Sequence, residues 1–161
     1  MDKLRVLEDL TYHGRTGGYV ARITSKLIDD AIDGGYKEFF VGSHSELGSM
    51  VVLALKDGLY TAVLSIPSRF FDAVLKRLCG TCGVSSGSSK GSMVKAYNNK
   101  SYFVFLHTID FTDRSGIAIS ICDERPANFS STWANMYKKH AAMRTNKSLE
   151  TATLTHQSTQ R

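Results

Sequence analysis

The sequence predicts an α+β fold, with a mainly antiparallel sheet of about five to six strands and three helices. Helical periodicity recurs in separated stretches, β-rich runs come in pairs around tight-turn dipeptides, and the order is helix, strands, helix, strands, helix. Residues 1–144 are expected to form a single α+β domain, and residues 145–161, polar and without periodicity, a disordered tail.

The first helix is expected from about Gly18 to Asp33. Tyr19, Val20, Ile23, Leu27, Ala31 and Ile32 form one apolar stripe, Thr16 can cap its start, and Gly34-Gly35 can end it. A short strand follows over Glu38 to Gly42. The run 51–66 predicts a hairpin, because Asp57-Gly58 tolerates the positive φ of a tight turn. Pro67 suits a first helical turn, and Phe70, Phe71, Val74, Leu75 and Leu78 make the buried face of a second helix, ended by Gly80. The runs SMVKAY and SYFVFLH meet at Asn98-Asn99, and the second returns through Thr112 to Gly116 into GIAISIC. A last helix is expected from about Ser131 to Met143, with Trp133, Met136, Tyr137 and His140 on one face.

Composition is that of an ordinary globular chain, 42% hydrophobic and 22% charged over 161 residues. No apolar run reaches the roughly 18 residues of a membrane span, and the first residues are too acidic for a secretory signal. With three cysteines and no disulfide framework, the expected compartment is a reducing, cytoplasmic one. The formal charge of +5 is unevenly spread: residues 1–66 carry a net −2 and residues 67–161 a net +7. That asymmetry predicts one face that meets an anion.

Residues 78–95, LCGTCGVSSGSSKGSMVK, raise the sharpest chemical question. A redox CxxC opens a helix, where the dipole favours thiolate, whereas Cys79 and Cys82 fall at the end of one. Zinc would need further ligands: the candidates are Cys122 with His13, His44, His107 or His140, none spaced as a second knuckle. His107 and Cys122, on neighbouring strands, could meet, so zinc stays open while no metal site is assigned. Cys79 is expected buried and Cys82 in the following loop. The Gly/Ser stretch lacks the spacing and the strand-to-helix context of a phosphate-binding P-loop. It is expected to be a flexible loop that can order over a ligand.

A better anion site is expected before the first helix. His13, Arg15, Thr16, Gly17 and Gly18 place a guanidinium and close-approaching glycines beside free backbone N–H groups. Tyr12-His13-Gly14 resembles the His-Gly step at the NAD site of ADP-ribosyltransferases, although Arg15 stands where a small hydroxyl residue belongs. The resemblance implies a nucleotide-using transferase, for which Glu38 and Glu46 are the acids to test. Ser43-His44-Ser45-Glu46 groups the atoms of a nucleophilic site, but neighbours on a strand alternate in direction, so a surface loop is expected and no catalytic residue is assigned.

From Arg69 to Lys100 six basic residues face one acid, Asp72. Arg69, Lys76, Arg77, Lys90, Lys95 and Lys100, interleaved with Tyr97 and Tyr102, are what a single-strand groove uses: charge for phosphates, rings for bases. KSYFVFLH resembles the RNA-recognition consensus with its aromatic spacing off by one. The leading expectation is therefore a small basic, non-enzymatic regulator or inhibitor, of a viral style. It would bind nucleic acid or an acidic protein partner, with no cofactor and no membrane, and with self-association open.

Overall fold

A computed structural model describes residues 5–6, 16–46, 48–56, 58–84 and 87–142. Its strands are β1 (Arg5–Val6), β2 (Glu38–His44), β3 (Gly48–Lys56), β4 (Leu59–Ser65), β5 (Lys90–Tyr97), β6 (Lys100–Asp110) and β7 (Arg114–Cys122). The helices are α1 (Thr16–Gly34), α2 (Phe71–Thr81), entered through a 3-10 turn at Ser68–Phe70, and α3 over residues 129–142. All strands lie in one sheet of order β1-β4-β3-β2-β7-β6-β5. Six are antiparallel, and β1 adds two residues parallel to β4 at Leu64 and Ser65. The α+β class and the antiparallel sheet are as the sequence predicts. No helix among the described residues is long and apolar enough to cross a membrane.

Strand alternation splits the core in two. Phe39, Val41, Val104, Leu106, Ile117, Ile119 and Ile121 face α1 and α2, meeting Ile23, Leu27, Val74 and Leu78. Phe40, Leu53, Tyr60, Phe105, Ile109 and Ala118 face the opposite way, against Met136 of α3, with Phe129 and Trp133 packed beside them. The two meanders, β2-β3-β4 and β5-β6-β7, join at β2 and β7, where Gly42 lies opposite Gly116. A Cβ on Gly42 would fall 2.2 Å from the Ser115 carbonyl oxygen, so the seam closes only because neither residue carries a side chain.

Several local expectations need correction. Thr16 is the first residue of α1 rather than a cap before it. The helix α2 runs through Gly80 to Thr81, and the chain turns at Gly83, where φ is +71°. A single glycine costs a helix only about 1 kcal/mol, and the packing of Leu78 and Cys82 overrides it. The burial of the two cysteines is also reversed: Cys82 is 2% exposed and Cys79 only partly buried. His107 and Cys122 do not meet, since their partners across the strands are Ala118 and Phe103. The two-residue turn at Asn98-Asn99 is present, both residues adopting positive φ. The expected tail, 145–161, lies outside the described residues.

Candidate functional site

The expected basic surface divides into residues spent inside the fold and residues left outward. On β5, Met93, Lys95 and Tyr97 point toward α1. Lys95 Nζ lies 3.4 Å from Asp29 Oδ1 and donates to Ser25 Oγ at 3.3 Å. Asp29 Oδ1 has no aligned hydrogen bond, so its link to Lys95 is a charge contact. Tyr97 donates its hydroxyl proton to Asp33 at 2.6 Å, and that bond first, then burial, pushes the phenol pKa up to about 12. Lys100 Nζ sits 3.8 Å from Asp123 and 5.4 Å from the centroid of Tyr102, whose ring packs against the α1-side core. Three of the eight expected contact residues are thus tied to acids; the Tyr102 ring is packed, while Tyr97 is held through its hydroxyl alone.

The remaining cations differ. Lys76, Arg77 and Lys90 are exposed and have no acidic partner among the described residues. Arg69 is exposed beside the Phe70 ring, 4.7 Å from its centroid. Arg77 and Lys95 both line a groove of about 150 Å³ between α1, α2 and β5, together with Thr24, Ser25, Thr81 and Met93. This groove unites two residues of the expected binding set, Arg77 and Lys95.

The N-terminal anion site is only partly in view. His13 and Arg15 lie outside the described residues, and Thr16, Gly17 and Gly18 form the first turn of α1. Of the two test acids, Glu38 pairs with Lys139 at 2.8 Å, and Glu46 donates its backbone N–H to His44 Nδ1 at 3.2 Å. In the Ser-His-Ser-Glu run, Ser43 Oγ meets Ser115 across the seam with β7. Burial raises the thiol pKa of Cys79, and for Cys82 burial followed by the neighbouring Cys79 raises it to about 12. Both are held as thiols, opposite to what nucleophilic or redox chemistry requires.

A second polar assembly, which no local sequence signal marks, lies on the α3 side. Arg114, at the start of β7, is 2% exposed, pairs with Asp113 at 3.0 Å and donates to the His140 carbonyl oxygen. Its guanidinium lies between the rings of Tyr60 and Phe111, 5.4 and 5.0 Å from their centroids. The His140 ring, fully buried, meets the Tyr60 hydroxyl through Nδ1 at 2.5 Å, while its Nε2 has no hydrogen-bond partner among the described residues. Burial first, then the charges of Arg114 and Lys139, lowers the His140 pKa to about 3. The imidazole is therefore neutral and fixes α3 to β4 and β7. Beside this assembly an open cleft of about 410 Å³ is lined by Ser43, His44, Asp110, Asp113, Arg114 and Ser115 among others.

The chain matches no protein-family model and no curated protein sequence. What it does must be argued from the two assemblies themselves.

Proposed function

We propose that this chain is a small non-enzymatic binding module that engages an acidic protein surface through α2 and the neighbouring groove. The observation that carries this is the contrast in charge pairing. Lys76, Arg77 and Lys90 stand exposed without acidic partners among the described residues, while Lys95 and Lys100 are already matched. Unmatched cations around a groove attract and orient an anionic partner. A protein partner is favoured over single-stranded nucleic acid because base stacking needs free aromatic faces. Of the two expected stacking rings, Tyr102 is packed on the core beside Lys100, and Tyr97 is held in one orientation by its hydroxyl bond to Asp33.

The test measures fluorescence anisotropy of a labelled Glu-rich peptide and of a single-stranded oligonucleotide, each at low and high salt. The expected result is peptide binding that weakens with salt and is lost in the double variant Lys76→Glu, Arg77→Glu. Tighter binding of the oligonucleotide would replace the acidic-protein reading with a nucleic-acid one. Failure of both probes to bind at low salt would remove the proposal.

A further inference from the structure

The two edges of the sheet are finished differently. At the β4 edge the chain supplies its own cover, β1, at Leu64 and Ser65. At the β5 edge cover stops partway. The Ser92 N–H points away from β6 and donates to Cys82 O at 2.8 Å, where the chain leaving α2 runs alongside. By the two-residue alternation of an antiparallel pair, the N–H and C=O groups of Val94 and Ala96 face outward too. Among the described residues these groups have no partner. Val94 is 59% exposed, the most exposed large hydrophobic side chain among them. An open edge is usually guarded by an outward lysine. Here Lys95 is turned in toward Asp29 and guards nothing.

We propose that the acidic partner binds as an extended strand added to the β5 edge at Val94 and Ala96, an inference that rests on the acidic-partner reading above. Strand addition explains both faces of the edge at once. One set of alternate side chains on the added segment falls on the side of α1 and α2, beside Met93, Lys95 and the Arg77 groove, and is acidic. The other set falls beside Val94 and Ala96 and is apolar. The segment therefore alternates Glu or Asp with Val or Ile. A second copy of this chain is disfavoured as occupant, because it would bring Lys76, Arg77 and a formal charge of +5 against their own kind.

The test uses a short synthetic peptide of alternating Glu and Val, and two derivatives N-methylated at either the Val or the Glu amides. Each derivative blocks one edge of the peptide and leaves its charge unchanged. The parent is expected to bind, and the Val94 and Ala96 amides to exchange more slowly with solvent in its presence. One derivative, the Val-methylated one for antiparallel addition, should bind at least tenfold more weakly, and the other like the parent. Val94→Pro should weaken the parent to the same degree, since it removes an outward N–H and no bond to β6; the methylated peptides retain the test if this variant misfolds. If both derivatives bind like the parent while Arg77→Glu still abolishes binding, strand addition is wrong and the acidic reading stands. If no acidic peptide binds at low salt, both fall. A dimer of the native chain that Val94→Pro dissolves would instead make the occupant a second copy.

Discussion

Arg114 and Arg77 are the same residue put to opposite uses. Arg114 is 2% exposed, enclosed by two rings, an aspartate and a helix carbonyl, whereas Arg77 is exposed on a groove and has no acidic partner among the described residues. The first holds α3 against the sheet; the second is available to a partner. A positive charge counted along a sequence is thus not yet a binding charge. Of the cations the sequence singles out, the fold leaves Lys76, Arg77 and Lys90 without an acidic partner among the described residues, and the proposed surface is drawn from these.

That contrast breaks most sharply at Arg114. Arg114→Ala should destabilise the protein by about 3–5 kcal/mol, measured by chemical denaturation, because it removes the buried cation that pairs with Asp113 and donates to the His140 carbonyl, and empties a packed site. Arg77→Glu should leave the melting temperature unchanged and act on peptide affinity alone. If the two variants exchanged these effects, the assignment of architecture and binding surface would be reversed.

A pH titration comes next in size. His140 has a folded pKa of about 3 against an ordinary 6.5, so between these values the unfolded chain binds the extra proton. Its contribution is intact above about pH 6.5 and is lost as pH falls toward 3, with a slope near 1.4 kcal/mol per pH unit from this group. His140→Gln should remove that component of the slope, whatever it does to the stability at neutral pH. An unchanged slope would mean that the imidazole is not kept neutral by the fold.

Smaller effects sharpen the same distinction. Tyr60→Phe deletes the hydroxyl that meets His140 Nδ1 and should cost about 1–2 kcal/mol, because the ring nitrogen left behind is buried. Lys95→Ala should cost no more than about 1 kcal/mol, since its pair with Asp29 is only partly buried. A larger loss at Lys95 than at Tyr60 would indicate that the β5–α1 contact, not the α3 assembly, anchors the fold.

Much of the fold was legible because its signals are local. The stripe from Val20 to Ala31, the turn at Asn98-Asn99 and the paired β-rich runs each declare themselves within a few residues. The misreadings were non-local. Gly80 looked like a stop because the burial of Cys82 behind it, which carries the helix onward, depends on packing against distant strands. Arg114 sat in an apparent surface turn, and its burial depends on α3, which arrives later in the chain. Lys95 and Lys100 looked available because Asp29 and Asp123, which match them, are far away in sequence. The cationic segment is visible in the sequence as a run of like charge, while its division into matched and unmatched charges requires the tertiary structure.

The most direct measurement is a backbone amide NMR titration of the labelled protein with the Glu-Val peptide at low salt. The account predicts shifts concentrated on Val74 to Cys82 and on Lys90 to Tyr97, with His44, Arg114 and Ser115 unmoved. Shifts centred on the cleft at His44 and Arg114, or spread evenly over the surface, would contradict it.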